Sequence, residues 1–192
     1  MNNYYLYLLI FFIGLTTKFE AQRSVMYKDL EEAVQNKEHV YKLNLSRKKL
    51  DSLPNNLFQL KNLEYLDLSK NRLDHIPKEL KVLQNLEHIN LSKNNFIDFP
   101  EILTELTQLQ EIIINNNKIT TIPKQIKYLN SLIKLDMWSN ELVKIPDEIG
   151  QLTSLKEVDL RVIQLSDREK ERISGLLPNT KVYFSNSCNC GD

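Results

Sequence analysis

The chain of 192 residues carries 25 basic and 25 acidic side chains, so its formal net charge is zero. This balance gives no electrostatic reason to expect nucleic acid or an anionic membrane as a partner. The length suffices for one domain with a substantial core, and the four glycines form no cluster that would cradle a phosphate.

The first segment in chain order is an apolar run at residues 4–15, YYLYLLIFFIGL. The run is shorter than the roughly 20 residues that cross a bilayer, and it suits the core of a secretory signal. We therefore predict a signal peptide at residues 1–21, and a secreted, periplasmic or cell-surface protein. Because the start MNN has no Lys or Arg and Phe19 stands where a small residue is expected, an uncleaved anchor is the alternative.

Residues 22–39 follow the apolar run and contain the segment YKDLEEAVQNKEH. Leu30, Ala33 and Val34 fall on one face of a helix in this segment, which predicts a short amphipathic helix. Its apolar face would cover the end of whatever core follows. We predict an N-terminal helical cap over residues 22–39.

From position 40 to position 165 the sequence repeats at a constant interval. Residues 63–77 read LEYLDLSKNRLDHIP and residues 86–100 read LEHINLSKNNFIDFP, and six such units begin at Val40, Leu63, Leu86, Leu109, Leu132 and Leu155. The alternation of polar and apolar residues at the start of each unit predicts a half-buried strand. The second half, P-x-x-L-x-x-L, predicts a turn of helix or 3₁₀ helix. A fixed period of this length indicates stacked repeats.

The motif L-x-x-L-x-L-x-x-N-x-L, present at residues 63–73, resembles the leucine-rich-repeat family, in its bacterial form with 23-residue units. The resemblance implies an α/β solenoid, a curved right-handed horseshoe segment. Its parallel β-sheet would lie on the concave face, with short helices or 3₁₀ turns on the convex face. It also implies a structural ladder of buried amides that satisfies backbone groups in the turns, formed by Asn71, Asn94, Asn117 and Asn140.

The repeats end at residue 165, and a second cap is predicted at residues 166–186. Ser166 and Glu169 fit a capping box, an apolar helical face follows, and Pro178 ends that helix. Residues 181–184, KVYF, suit a last strand. We predict a flexible tail at residues 187–192. Its Cys188 and Cys190 can form a strained disulfide or join a metal site only if other ligands are supplied, and we predict no metal there.

The sequence contains no recognisable catalytic constellation. His39, His75 and His88 have no partner at metal-ligand spacing, and neither H-E-x-x-H nor G-x-S-x-G occurs. We therefore predict a non-catalytic protein without a cofactor or metal.

A broad sheet with outward-pointing side chains is the surface that solenoids use for binding. The candidate partner-binding residues on this concave face are Tyr65, Asp67, His88, Asn90, Glu111, Ile113, Lys134, Asp136, Trp138 and Arg161. Ile113 and Trp138 are apolar at positions that face water, and Trp is enriched at binding hot spots. They predict the apolar centre of an interface, unless Trp138 only packs flat along Lys134 or Arg161.

These observations favour a non-catalytic, exported leucine-rich-repeat protein that binds a protein or peptide on its concave face. We expect a monomer with no nucleic-acid partner and no stable membrane span. One alternative is a carbohydrate- or cell-wall-binding module, in which Tyr65 and Trp138 stack on sugars. Another is a host-directed effector or an accessory subunit.

Overall fold

The computed structural model describes residues 22–185, so the apolar run at residues 4–15 and both cysteines lie outside the described part. Eight strands form one parallel sheet in chain order. They are β1 Met26–Tyr27, β2 Lys42–Asn44, β3 Tyr65–Asp67, β4 His88–Asn90, β5 Glu111–Ile113, β6 Lys134–Asp136, β7 Glu157–Leu160 and β8 Lys181–Phe184. The solenoid expected from the repeats is confirmed. β1 adds a strand that the sequence analysis did not predict.

The strand register follows the sequence period. Each strand from β3 to β7 pairs with its predecessor at an offset of one full repeat, as in Leu66 with Ile89 and Leu135 with Val158. The last pair has an offset longer by a single position, because Glu157 lies opposite Lys181. Equivalent side chains therefore stack in continuous rows across the sheet, and the alternation along each strand sends one set inward and the next outward.

Five 3₁₀ turns return the chain on the side opposite the sheet. Each begins after a proline in extended conformation, which loses nothing there because the first N–H groups of a helical turn have no partner within it. The turns are Asn55–Gln59, Lys78–Val82, Glu101–Glu105, Lys124–Tyr128 and Asp147–Gln151. Strands pack about 4.8 Å apart, closer than the returning turns can, so the sheet takes the inner side of the stack.

The core is one apolar column along the whole stack. Leu63, Leu66 and Leu68 are fully buried, and the equivalent residues of the other repeats join them in a single cluster. Phe96 fills the position that Leu73 occupies one repeat earlier, and it is also fully buried. No repeat could bury this stripe alone, so stability comes from contacts between neighbouring repeats.

Each repeat turns from strand to loop through one residue in the left-handed region of backbone space. This residue directly precedes the ladder position, and its φ lies between 52° and 61° in Arg47, Lys70, Lys93, Asn116, Ser139 and Val162. Lys49 has a positive φ as well. None of these residues is glycine, so the packing of the repeat, and not backbone freedom, imposes the turn.

Helices close both ends of the described stack. Helix α1, Leu30–Gln35, begins at Asp29, whose side chain accepts a hydrogen bond from the Glu32 N–H, and it buries Ala33. Helix α2, Asp167–Leu176, begins at Ser166, whose hydroxyl accepts from the Glu169 N–H at 3.2 Å.

The predicted capping box at Ser166 is only half formed. The Glu169 carboxylate does not return to the helix start, and instead accepts from the Ile145 N–H at 3.0 Å and pairs with Arg172. Arg172 also donates to the Ile145 carbonyl. Glu169 and Arg172 thus satisfy the backbone of the preceding repeat, and this tertiary use outcompetes the local box.

Candidate functional site

The ladder asparagines are buried and committed to the backbone. The Asn94 amide nitrogen donates to the carbonyls of Leu68, at 3.1 Å, and Leu91, at 3.0 Å, while its oxygen accepts from the Leu73 N–H at 3.0 Å. The other three make equivalent bonds: Asn71, Asn117 and Asn140. A buried amide with both its nitrogen and oxygen used this way has no free group for a ligand.

The bonds also explain why the ladder begins only at the second repeat. Each amide reaches back to the repeat before it, as Asn71 does to the Leu45 carbonyl and the Leu50 N–H. The first repeat has no such predecessor, and the exposed Lys48 stands at its ladder position. In the last repeat Ile163 is buried among apolar residues beside the C-terminal cap.

Asp67, Asn90 and Asp136 belong to one row of outward-pointing side chains across the sheet, and this row has a structural role that the sequence analysis did not assign. The Asp67 Oδ1 accepts from the Ser69 N–H at 2.8 Å, and the Asn90 Oδ1 accepts from the Ser92 N–H at 3.0 Å. The Asp136 Oδ1 likewise accepts from the Trp138 N–H at 3.3 Å. These turns end the strands and take one oxygen from each of three candidate residues. The sequence signal was an Asn or Asp two residues before the turn.

A neighbouring row of outward-pointing side chains, at the first position of each strand, brings four candidate residues into a continuous chain of contacts. The rings of Tyr65 and His88 lie 6.3 Å apart, His88 Nδ1 is 3.3 Å from Glu111 Oε2, and Lys134 Nζ is 3.1 Å from Glu111 Oε1. The hydrogen bond with Glu111 raises the pKa of Lys134. Burial, followed by the nearby charges of Asp67 and Glu111, raises the pKa of Tyr65.

Ile113 and Trp138 interrupt the polar rows near the middle of the sheet. Ile113 lies opposite Asp136 in the next strand and takes the place of the Asn or Asp found in the neighbouring repeats. Burial raises the pKa of Asp136, although hydrogen bonds from Asn115 and the Trp138 N–H oppose that rise. Ile113 and Trp138 thus place apolar side chains at the centre of an otherwise polar face.

The expectation that these two side chains stand open to water is only partly met. Both are half-buried, and more exposed apolar side chains lie off the sheet, such as Val143 at 78% and Val162 at 63% exposure. Neighbouring side chains on a closely spaced parallel sheet cover each other, an effect that the strand pattern alone does not reveal.

Arg161 belongs to the C-terminal end of the face. It bonds Asp159 through Nε at 3.0 and 3.1 Å and through Nη2 at 2.6 Å, and its guanidinium lies 5.7 Å from the centre of the Tyr183 ring. Burial would raise the pKa of Asp159, but the Arg161 bonds outweigh it and lower that pKa. Arg161 pairs with Asp159 and Lys134 pairs with Glu111, so the two cations along which Trp138 was expected to pack both have other partners.

Two further properties of the described residues concern metal ions and membranes. Within residues 22–185, no group of three or more His, Cys, Asp or Glu side chains could hold a metal ion. Over the same residues, no helix combines the length and the apolar character needed to cross a bilayer.

The repeat register, the amide ladder and the capped parallel sheet define a leucine-rich-repeat solenoid. A family model described as a leucine-rich repeat region matches residues 23–180, and the chain belongs to this family. No curated protein sequence matches the chain. The fold is one that serves as a scaffold for protein–protein interaction.

Solved structures share the fold. A leucine-rich-repeat protein of Leptospira interrogans, LIC12759, is 32% identical with a TM-score of 0.65, and the alignment covers 84% of this chain and 48% of that protein. The leucine-rich-repeat ectodomain of the Arabidopsis thaliana membrane receptor kinase GASSHO1/SCHENGEN3, in complex with CASPARIAN STRIP INTEGRITY FACTOR 2, is 29% identical with a TM-score of 0.61. That alignment covers 76% of this chain and 18% of the ectodomain. The chain thus spans less than half of either relative.

Proposed function

We propose that this chain is a non-catalytic, exported binding protein that holds a protein partner on its sheet face, with Ile113 and Trp138 at the centre of the interface. The observation that carries the proposal is the apolar break in otherwise polar rows, framed by the charged row that includes Glu111 and Lys134. An apolar centre with a polar rim is the usual anatomy of a protein interface.

The way in which this face is built supports the proposal. The strands and their turns are fixed by backbone bonds to Asp67, Asn90 and Asp136, so the outward side chains project from a rigid platform. A rigid surface loses little conformational entropy on binding. The plant ectodomain in complex with CASPARIAN STRIP INTEGRITY FACTOR 2 has the same kind of scaffold, which supports a partner-binding role for this chain.

The test is a pull-down from cell-surface and host extracts with the native chain and with the double variant Trp138→Ala, Ile113→Ser as baits. We expect at least one protein to be retained by the native bait and lost from the variant, because truncating central apolar anchors removes much of the binding energy. The variant must first unfold at the same temperature as the native chain.

The matched control is Tyr128→Ala, Ile97→Ser, which also removes one aromatic ring and one isoleucine. Both side chains are exposed and lie off the sheet, at 52% and 58% exposure. This bait should retain every partner. Equal retention by all three baits would contradict the proposal, and a bait that captured only polysaccharide would favour the carbohydrate-binding alternative.

Export is proposed from the apolar run at residues 4–15 and is tested separately. Expression with a C-terminal tag, cell fractionation and intact-mass measurement should give a chain that has lost residues 1–21 and lies outside the cytoplasm. A full-length mass in the membrane fraction would indicate the uncleaved anchor, and a full-length cytoplasmic chain would contradict export.

A further inference from the structure

One edge of the sheet face carries a row of cations in the first three repeats. Arg47, Lys70 and Lys93 occupy the same position in successive repeats, and Lys48 and Lys49 extend the row at its start. All five are exposed. We call these five residues the basic strip. At the same position the later repeats have uncharged residues, Asn116, Ser139 and Val162.

The basic strip lacks compensating charge within the part of the chain that the structure describes. No ion pair among residues 22–185 involves any of its five side chains. Beside it lies an open hollow of about 620 Å³, lined in part by Lys28, Asp67, Ser69 and Ser92. Asp67 lines this hollow together with Arg47, Lys48 and Lys70, but it is buried, its Oδ1 accepts from the Ser69 N–H, and a single carboxylate does not balance the three cations.

Nothing in the fold requires cations at these positions. The left-handed turn forms equally well around Asn116 and Ser139, which have φ values of 52° and 57°. Like charges at the same position of neighbouring repeats, whose strands lie about 4.8 Å apart, repel one another and slightly destabilise the stack. An unpaired row of this kind on a proposed binding face is explained by an anionic ligand that neutralises it.

We infer that the basic strip and the Ile113–Trp138 pair together bind one extended peptide that carries a cluster of acidic residues followed or preceded by an apolar side chain. This inference rests on the proposed function and specifies the partner. The strip contacts the acidic residues and sets their register, while the apolar pair receives the apolar side chain.

The spacing of the repeats gives the expected length of the motif. Arg47 and Lys93 are two strands apart, as are Lys93 and Trp138, and each of these steps is about 10 Å at the usual strand spacing. An extended peptide advances about 3.4 Å per residue, so each step corresponds to about three residues. The bound motif therefore has acidic residues spread over about four positions and an apolar residue about three positions beyond them.

A polypeptide fits this surface better than an anionic polysaccharide does. A sulfated or phosphorylated glycan would neutralise the strip but would leave Ile113 and Trp138 without an apolar partner. A peptide carries both kinds of side chain on one chain. Glycan binding is accordingly a distinct outcome of the test and would overturn the inference.

The test is selection of random 12-residue peptides displayed on phage, with the full chain as bait, followed by fluorescence anisotropy of the enriched peptides. We expect enrichment of Asp and Glu together with an apolar residue at the spacing given above. Charge reversal by Arg47→Glu, Lys70→Glu, Lys93→Glu should weaken binding about tenfold or more, and raising the salt concentration should also weaken it.

The control reverses the same number of charges on the opposite side, through Lys61→Glu, Lys78→Glu, Lys81→Glu. These lysines are exposed and lie in or next to the 3₁₀ turns. The control should bind the peptides like the native chain. Each variant must show native thermal unfolding before it is compared.

The outcomes separate this inference from the proposed function. If the peptides do not bind Trp138→Ala, Ile113→Ser but bind the strip-reversal variant like the native chain, the proposed interface is supported and the acidic partner is refuted. If the peptides bind both variants like the native chain, the proposed interface and the acidic partner are both refuted. A third outcome combines two results: the selected peptides show no enrichment of acidic residues, and a heparin column retains the native chain but not the strip-reversal variant. This outcome would refute the peptide partner and indicate an anionic glycan.

Discussion

Among the described residues with a positive φ, Val162 is the least suited to its backbone conformation. Its φ is 61°, a left-handed value that polar residues such as Asn116 tolerate better than a β-branched side chain does. Its N–H donates to the Ser185 hydroxyl, which ties the turn to the end of the C-terminal cap. The last repeat keeps the left-handed turn although the Val162 side chain disfavours it, because the stacked repeats impose the backbone conformation.

Replacing Val162 with asparagine should therefore stabilise the chain. Relief of the left-handed strain is expected to raise the free energy of unfolding by about 1 kcal/mol. Urea denaturation followed by circular dichroism measures the change. The matched control is Val143→Asn, at another exposed valine that is not among the residues with positive φ. If both substitutions have the same effect, the turn at Val162 is not strained.

At the scale of elements, the C-terminal helix α2 is held by groups that respond to acid. The hydrogen bond with Arg172 lowers the pKa of Glu169; burial opposes this, and the Ile145 N–H bond lowers the pKa further. A carboxyl group with a lowered folded-state pKa stabilises the fold above its unfolded value of about 4.3. That stabilisation is lost as the pH falls through the folded-state pKa.

We therefore expect α2 to loosen at acid pH before the middle repeats do. Amide hydrogen exchange between pH 7 and pH 3 should show earlier loss of protection in α2 than in β4 or β5, after correction for intrinsic rates. Glu169→Gln should cost roughly 1–3 kcal/mol at pH 7 and make the stability of α2 less sensitive to acid. A variant that keeps the native pH profile would show that another group controls the cap.

Helix α2 also packs closely against the last 3₁₀ turn at Gly150. A Cβ at Gly150 would lie 3.0 Å from the Leu176 carbonyl oxygen, whereas a Cβ at Gly175 meets nothing within 4 Å. Gly150→Ala should push α2 outward and cost about 1–3 kcal/mol. Gly175→Ala, within the helix, should stabilise it by up to about 1 kcal/mol. Thermal unfolding of the two alanine variants should shift in opposite directions, and equal shifts would contradict this packing.

For the whole molecule, the constant register makes the repeats modular. Strands β2 to β7 are paired at offsets of one full repeat, so removal of one complete period leaves every remaining contact type intact. In such an array stability is approximately a sum of repeat terms and neighbour terms.

Deletion of residues 86–108 should therefore give a folded, less stable chain. The slope of its unfolding free energy against urea concentration should decrease roughly in proportion to the loss of surface that becomes exposed on unfolding. Deletion of residues 86–105 is the control, because it leaves a register that is not a whole period and should prevent native folding. If both deletions fold equally well, the repeat register does not determine the stack.

The sequence by itself determined the repeat period, the inward leucines, the ladder position of Asn71 and both capping helices, because each depends on spacing along the chain. Only the tertiary structure decided that Glu169 bonds Ile145 and that Ile113 and Trp138 are half-buried. These features depend on which neighbouring strand or helix offers a competing partner. The stacking of repeats creates those neighbours, and spacing along one repeat does not specify them.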